Sequence, residues 1–318
     1  MKRFIYFMLL AACLLSTAGC NKKKEVTVIR INDYDILLAC VQRVIREKNL
    51  LEPYLPEGVT VEWTHVTGDS NIRDALSSGR IDIATLGIAG FITSIENDFP
   101  LTLISSGPGT IVYLYSHNKN IKGFEDINTS TKIATVSKGS FGTIAFAMLC
   151  EELYGDPLIF DSNLLEMHYN EMFASVNSSN DLDCIFLVLP YYETADGMDN
   201  LEKIMDFTPL LMENGLNIIF TANSDFYNNN PNLIEAFRKA QNDAVKYINE
   251  QTTEASILLG EVYNSDPVLV EKELKHWPVS LEMQGYDKLA AFMHKSGLLT
   301  KPPKKFADFP NYNDIPKR

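Results

Sequence analysis

The apolar residues of this chain follow two spacings that alternate along the sequence. The β-branched run at 26–31 is typical of a buried strand, and apolar residues at 37–45 then recur at the spacing of one helix face. The order repeats with a strand predicted at 60–66, a helix after it, and another strand at 81–86. Strands that alternate with helices in this way predict a parallel sheet flanked by helices.

A second unit with the same order follows the strongest cluster of chain breakers in the sequence. An apolar run at 101–104 closes the first unit, and Ser105-Ser106-Gly107-Pro108-Gly109 comes directly after it. We therefore expect the first connection between two lobes at this cluster. The second unit is predicted to contain strands at 111–115, 132–136 and 183–189 and a helix at 142–154.

The last third of the chain is predicted to be mostly helical. After one more strand at 216–221, helical spacing recurs at 231–248, 253–263, 267–274 and 286–295, and the tail at 301–305 is expected to be extended. These patterns predict an α/β protein of two lobes, each a mostly parallel sheet with helices on its faces. The chain length and a hydrophobic content of 46% also favour two domains over one.

The first residues have the features of a secretion signal. Lys2 and Arg3 precede an apolar run at 4–15, which ends in small residues. This run is shorter than the roughly twenty residues that a membrane-spanning helix needs. We therefore predict that residues 1–19 are a signal peptide.

The end of this signal carries a candidate lipidation site. The tetrapeptide Thr17-Ala18-Gly19-Cys20 resembles the bacterial lipobox, although Thr17 stands where that motif prefers Leu. We predict that Cys20 becomes the first residue and carries lipid chains, with residues 20–24 as the lipidated cysteine and its polar tether. A plain signal with a chance cysteine is the alternative.

The charge of the chain is strongly negative. Removal of residues 1–19 deletes Lys2 and Arg3 and no acidic residue, so the formal charge changes from −13 to −15. This charge argues against nucleic acid as a partner. It does not decide the charge of a small ligand, because oriented backbone N–H groups bind anions inside acidic proteins.

Cysteine and histidine patterns indicate neither a metal site nor a catalytic nucleophile. Besides Cys20, the mature chain has Cys40, Cys150 and Cys184, an odd number without metal-like spacing. We expect these three to be buried as small hydrophobic residues. The sequence has no HExxH and no GxSxG motif, and we expect no cofactor and no metal.

In open α/β sheets a ligand binds beyond the carboxyl ends of the strands, where loops and helix N-termini converge. The segment 138–143 is the strongest candidate, because glycines flank a hydroxyl where a strand ends and a helix begins. Its backbone N–H groups suit an anion or a polar group, although an ordinary helix capped by serine has the same pattern. The ligand-binding residues predicted here are Gly139, Ser140, Phe141 and Gly142.

The segment Gly87-Ile88-Ala89-Gly90 is the corresponding candidate in the first lobe, because residues without bulk let the backbone approach a ligand. A tight turn without a ligand is the alternative. Aromatic residues beside these loops are candidates for stacking on a ring or for packing. The remaining ligand-binding residues that we predict are Asn32, Asp33, Tyr34, Thr67, Gly87, Ile88, Ala89, Ser106, Pro190 and Tyr191.

Several short segments, each weak alone, occur in an order that is specific as a set. They are the helix-then-strand segment at 75–84, the Lys138-Gly139-Ser140 turn, Asp183 with Pro190, Asn223-Ser224-Asp225-Phe226, and His276-Trp277. In this order they resemble the solute-binding proteins of the NMT1/THI5-like group, whose relatives serve importers for sulfonates, taurine, nitrate and thiamine precursors. The resemblance runs through almost the whole mature chain.

This resemblance implies a periplasmic-binding-protein fold of type 2, with two crossovers between the lobes and closure about a ligand in the cleft. One lobe is expected to comprise 25–107 and 210–318, and the other 108–209. The implied function is that of an exported lipoprotein that binds a small organic molecule and delivers it to the permease and ATPase of an ABC importer. We expect a monomer without enzymatic activity that meets the membrane only through its lipid anchor.

Two other functions stay open. One is an enzyme that consumes a bound cofactor or one of its own residues, as the pyrimidine-synthesising relatives do, although their cysteine-rich motif is not visible here. The other is a ligand-sensing lipoprotein that acts without a transporter. For the binding function, the aromatic residues of the cleft loops and their single base, Lys138, favour a neutral or weakly charged ring compound over a small inorganic anion.

Overall fold

The computed structural model of the protein describes residues 26–33, 37–66, 68–178 and 181–317. The predicted signal peptide, Cys20 and the tether lie outside the described residues, as do Tyr34 and Thr67 of the predicted site. Within the described ranges, no helix is both long enough and apolar enough to cross a bilayer.

The strands of the described residues form two sheets of five strands each. In chain order they are β1 (Val28–Asp33), β2 (Thr60–His65), β3 (Ile83–Gly87), β4 (Leu101–Ser106), β5 (Tyr113–Ser116), β6 (Ile133–Thr135), β7 (Leu164–Glu166), β8 (Cys184–Leu187), β9 (Glu202–Asp206) and β10 (Ile218–Asn223). The first lobe is built on β1 to β4 and β10, and the second on β5 to β9.

Helices flank both sheets and form most of the C-terminal third. They are α1 (Cys40–Glu47), α2 (Asp69–Ser77), α3 (Ile88–Glu96), α4 (Phe141–Tyr154), α5 (Tyr169–Ser178), α6 (Tyr191–Asp196), α7 (Thr208–Asn214), α8 (Ser224–Asn229), α9 (Pro231–Glu250), α10 (Thr252–Tyr263), α11 (Pro267–His276) and α12 (Tyr286–Lys295). The tail, predicted to be extended, contains two 3₁₀ turns at Phe306–Asp308 and Tyr312–Asp314.

The two sheets have the same strand order, β2-β1-β3-β10-β4 in the first lobe and β7-β6-β8-β5-β9 in the second. In each sheet the first three strands are parallel to one another. The fourth, β10 or β5, is antiparallel to both of its neighbours. Four strands of each sheet therefore run one way and one runs the other. The predicted two-lobed fold with mostly parallel sheets and two interlobe crossovers is confirmed.

The centre of the first sheet is apolar on both faces, as expected for strands that helices cover. Ile29 and Ile31 of β1 are fully buried, and so is Ile83 of β3, which pairs with Ile31. The three cysteines Cys40, Cys150 and Cys184 are free and buried, which confirms their prediction as core residues.

The segment Gly87-Ile88-Ala89-Gly90 lies where a strand ends and a helix begins, because β3 ends at Gly87 and α3 begins at Ile88. The tight turn, which was the alternative for this segment, is not formed. The Ile88 N–H donates to the Asn217 carbonyl at 3.1 Å, and the Gly87 N–H donates to the Asp69 carboxylate. Asn217 and Asp69, both distant in sequence, thus accept the backbone N–H groups at the start of α3. A capping side chain next to the helix usually does this. The second lobe also contains elements that the pattern did not predict, namely β7, α5, α6, β9 and α7.

The first crossover between the lobes runs beneath an aromatic ring. A Cβ atom added to Gly109 would overlap the six-membered ring of Trp277, and one added to Gly107 would lie 2.8 Å from Ile218 Cγ1. Both positions therefore require glycine for close packing rather than for an unusual φ. This packing fixes the path of the chain between β4 and β5.

We predict that Gly109→Ala lowers the free energy of unfolding by about 1–3 kcal/mol, because the added methyl group displaces the buried Trp277 ring. Gly197→Ala is the matched control, since its added Cβ would be at an ordinary 3.5 Å from the Thr194 carbonyl oxygen. The control is expected to change stability by less than about 0.5 kcal/mol. Urea unfolding measures both, and equal stability of the two variants would contradict the packing argument.

Candidate functional site

Three aromatic residues follow the carboxyl ends of three neighbouring strands in the second lobe. Phe141 follows β6, Tyr169 follows β7 and Tyr191 follows β8. Because β6 lies between β7 and β8, these residues gather at one edge of the sheet. The rings of Tyr169 and Tyr191 stack with their centroids 3.9 Å apart and their planes 20° from parallel.

Phe141 reaches from the second lobe to the backbone of the first. A Cβ atom added to Gly87, at the carboxyl end of β3, would lie 3.8 Å from Phe141 Cζ. Phe141, Tyr169 and Tyr191 are each partly buried against hydrophobic core residues. The carboxyl ends of the two sheets therefore face each other across a cleft at Phe141 and Gly87, and Tyr169 and Tyr191 lie at the same edge of the second sheet.

On the first-lobe side, a carboxylate lies next to Gly87. Asp69, the first residue of α2, accepts the Gly87 N–H, and its Oδ2 would be 3.5 Å from a Cβ added to Gly87. A Cβ added to Gly90 would overlap this carboxylate, so glycine is required there. Burial raises the pKa of Asp69 to about 6, against the lowering effects of the Gly87 N–H and of Arg73. This acid is therefore partly neutral in mildly acidic solution.

At the end of β1, Asn32 is fully buried and tied to the backbone. Its side-chain Nδ2 donates to the Val66 carbonyl at 2.8 Å, and its backbone carbonyl accepts from Gln42 Nε2 at 2.9 Å. Its Oδ1 has no hydrogen-bond partner in the described structure. Next to it, the Asp33 carboxylate forms ion pairs with Arg43, at 2.9 Å, and with Arg46 of α1. The charge of Asp33 is thus compensated within the first lobe.

The turn before α4 is held by its own hydroxyl groups. Ser140 Oγ lies 3.1 Å from both Thr135 Oγ1 and Thr143 Oγ1, and Thr143 Oγ1 donates to the Lys138 carbonyl at 2.9 Å. Ser140 does not cap the helix with its side chain. Gly139 is exposed, and an added Cβ there would meet nothing closer than 3.9 Å.

The single base predicted in the cleft loops, Lys138, is paired inside the second lobe. Its Nζ binds Asp161 Oδ2 at 2.7 Å and the Asp161 carbonyl at 2.9 Å. Its backbone N–H donates to Glu166 Oε1 at 2.6 Å. The charge of Lys138 is therefore compensated by Asp161, and it contributes little to the binding of an anionic ligand.

The predicted site residues that the structure describes divide into four groups by position. Gly87 and Phe141 meet across the cleft, and Gly139, Ser140, Pro190 and Tyr191 lie at the strand ends of the second lobe. Asn32 and Asp33 lie at the end of β1 with the partners given above. Four others are buried. Ile88 and Ala89 lie in the first turn of α3, and Gly142 packs against Phe186 and Val112. The N–H of Ser106 donates to the Leu281 carbonyl at 3.0 Å.

Two members of this site were missed by the sequence patterns. Tyr169 follows β7, whose three residues are too few to show a period, and it stands after the second-lobe strand equivalent to β2. Asp69, an acid of a predicted cleft loop, was not among the residues predicted to bind a ligand. The structure shows their equivalence, since the repeated strand order pairs the ends of β2 and β7.

Other features of the described residues do not compete for this role. No group of three or more His, Cys, Asp or Glu side chains among them is arranged to hold a metal ion. A cavity of about 690 Å³ is lined by Val26, Gly58 and Asn230, at the amino ends of β1 and β2. Ligands of α/β sheets bind at the opposite, carboxyl ends, so this cavity is the weaker candidate.

Comparison with solved structures finds the same two-lobed fold in solute-binding proteins. The periplasmic aliphatic sulphonate-binding protein of Escherichia coli is 18% identical, with a TM-score of 0.69 over 88% of this chain and 90% of that one. The alkanesulfonate-binding protein of Xanthomonas axonopodis, solved with MOPS bound, is 14% identical, with a TM-score of 0.71 over 93% and 100%. The periplasmic nitrate-binding protein of Synechocystis is 17% identical, with a TM-score of 0.60 over 77% and 69%.

Sequence comparisons identify the family directly. No curated protein sequence matches the chain. The profile of the family described as NMT1/THI5 like matches residues 54–255, which is more than half of the chain and includes Asp69, Gly87, Phe141, Tyr169 and Tyr191. The chain therefore belongs to the NMT1/THI5-like family.

Proposed function

We propose that this protein is an extracytoplasmic solute-binding lipoprotein that captures a small organic molecule between its lobes and delivers it to an ABC importer. The observation that carries the proposal is the approach of Phe141 to Gly87, because it brings the carboxyl ends of both sheets to one cleft. The structural neighbours support it, since they include proteins that bind sulfonates or nitrate. Permease and ATPase subunits are the partners that this function requires, and the binding protein acts as a monomer.

A binding function suits the chemistry of the cleft better than catalysis. Its side chains are mainly aromatic rings and hydroxyl groups, which orient a ligand without reacting with it. The cysteines are poor nucleophiles, because burial raises the pKa of each of the three described thiols to about 12. An enzyme that consumes a bound cofactor is the alternative, and formation of product from a bound compound would identify it.

A neutral or weakly charged ring compound is the class of ligand that the cleft favours. Phe141, Tyr169 and Tyr191 offer aromatic faces and edges, whereas Lys138 is paired with Asp161 and the acid Asp69 lies beside Gly87. A small hydrated anion needs many donors to replace its water, and a planar ring gains from stacking with few polar contacts. Donors on the ring would suit the Asp69 carboxylate.

Export and anchoring complete the proposal. The signal-like residues 1–19 and the lipobox-like tetrapeptide before Cys20 support secretion followed by lipid attachment. The three lysines of the tether, at 22–24, then lie close to anionic headgroups. A lipoprotein that senses a ligand without a transporter is the second alternative, and loss of solute uptake on deletion of the protein would exclude it.

We predict that ring compounds stabilise the protein in a thermal-shift screen and that nitrate and short alkyl sulfonates do not. A ligand at a hundredfold excess over its dissociation constant adds about 2.7 kcal/mol, which shifts the melting temperature by several degrees. Strong stabilisation by the anions alone would show that the aromatic cleft does not select rings.

The ring compound found in this way then tests Phe141. We expect Phe141→Ala to weaken its binding by about tenfold or more, because an aromatic contact of about 0.5–1.5 kcal/mol is lost together with its buried area. Tyr154→Ala is the matched control, since Tyr154 ends the same helix and is 43% exposed. Calorimetry measures both affinities, and equal loss in the two variants would place the pocket elsewhere.

We also predict that Cys20 is the site of lipid attachment. Cells grown with a fatty-acid analogue should label the wild-type protein and not Cys20→Ser, because no other cysteine directly follows the small residues at the end of the apolar run. Cys13→Ser, inside the same apolar run, is the control and should keep the label. Equal labelling of wild type and Cys20→Ser would exclude lipidation at this residue.

A further inference from the structure

A buried carboxylate joins the two lobes beside the first crossover. Glu273 of α11, in the first lobe, accepts a hydrogen bond from the Tyr192 hydroxyl of α6, in the second lobe, at 3.3 Å. It also accepts the N–H of Ile111, the backbone that enters the second lobe. Glu273 is only 5% exposed, so this contact is shielded from water.

A second carboxylate makes the reverse connection between the same two helices. Glu193, next to Tyr192 on α6, accepts the Ser265 hydroxyl at 2.6 Å and the Asp266 N–H at 3.2 Å, directly before α11 begins. Each lobe thus supplies one carboxylate that accepts hydrogen bonds from the other lobe. Together these contacts join α6 to Glu273 of α11 and to the two residues before α11, and we call them the α6–α11 contact.

The surroundings of Glu273 provide hydrogen bonds but no compensating cation. The titratable groups that face it are Cys40 of α1, Tyr113 of β5 and Tyr192 of α6. Lys203 of β9 lies 3.8 Å from the Tyr113 ring centroid and pairs with Asp196 Oδ1 at 3.6 Å. No ion pair found within the described residues includes Glu273.

The packing around Glu273 leaves very little room for water. A cavity of about 10 Å³ adjoins it, lined also by Cys40, Gly109, Ile111 and Trp277. This volume is at the lower limit for one water molecule. An ionised Glu273 would therefore be poorly solvated while the lobes remain docked.

We propose that Tyr192 and Glu273 are positioning residues that hold the lobes closed while Glu273 is neutral, and that ionisation of Glu273 opens the cleft. A buried carboxylate without a cation is costly, and separation of α6 from α11 gives it access to water. The effect of Glu273 ionisation on lobe closure depends only on the fold and not on any ligand. Its consequence for ligand affinity rests on the proposed function, since closure must trap the ligand.

The direction of the pH dependence follows from linkage. Burial raises the pKa of Glu273 to about 8 in the docked lobes, against the lowering effects of Tyr192 and Ile111, whereas a solvated glutamate has a pKa near 4.3. The docked state therefore binds the proton more tightly than the open state. Docking is strongest at low pH and weakens as the pH rises towards 8, by up to about tenfold per pH unit.

The experiment measures the distance between the lobes in the ligand-free mature chain. Spin labels are attached to Asp74→Cys in the first lobe and Glu152→Cys in the second, both exposed positions, in a Cys20→Ser background. The native Cys40, Cys150 and Cys184 are buried and do not compete for the label. We expect the population with the longer distance to grow at least tenfold between about pH 6 and about pH 9.

Three variants separate this role from a general effect of the tyrosine cluster. Glu273→Gln keeps the shape and cannot ionise, so its distances should be the same at both pH values. Tyr192→Phe removes the interlobe donor and should be more open at both. Tyr115→Phe is the matched control, because the Tyr115 hydroxyl binds Asp196 at 2.5 Å within the second lobe and should leave the wild-type response unchanged.

The results decide the proposal without any ligand. Unchanged wild-type distances between the two pH values would overturn it, and so would a wild-type response retained in Glu273→Gln. Circular dichroism at each pH checks that the chain stays folded. Because no solute is present, failure of this proposal is distinct from failure of the proposed transport function, which the thermal-shift screen tests.

Discussion

The position of the strand after each crossover, inside its sheet and between two neighbours, is the constraint on which the rest of this structure depends. β5 enters the second sheet just after the chain leaves the first, and β10 completes the first sheet after the chain leaves the second. Each is hydrogen-bonded on both edges, so neither sheet is complete without a strand that follows a crossover. The hydrogen bonds of β5 and β10 thus fix the end of each crossover, and only the short segments before these strands are left as the hinge.

This constraint also decides which surfaces form the cleft. Because both sheets have the same order, each presents the carboxyl ends of three parallel strands, and the hinge turns these two edges towards each other. The aromatic residues come from the second lobe, while the first contributes the Gly87 backbone and the Asp69 carboxylate. The two edges are equivalent in topology and different in chemistry, so a ligand meets a ring-rich wall and a polar one.

Periodicity was sufficient for the long elements, because their apolar residues recur over several turns or on both faces of a strand. It was insufficient for β7, where Leu165 and Glu166 are exposed and no apolar pattern remains. It did not predict α3, because Gly90 is a weak helix former and its contact with the Asp69 carboxylate, which requires glycine there, depends on the fold.

The candidate site was predictable to the extent that strand ends and glycines mark it. Tertiary partners decided the rest. The contacts that bury Ser106 and Gly142 come from Leu281, Phe186 and Val112, which no local pattern relates to them. In the same way, Tyr192 and Glu273 are 81 residues apart, and only the folded chain brings them together.

The six residues of α6 begin with three side chains that serve three different surfaces. Tyr191 stacks in the cleft, Tyr192 binds Glu273, and Glu193 binds the start of α11. These three residues are consecutive on one turn of helix, so a tilt of the helix moves all three together. Any tilt that fits a ring against Tyr191 therefore displaces the other two side chains as well, so occupancy of the cleft and docking of the lobes share a single mechanical degree of freedom.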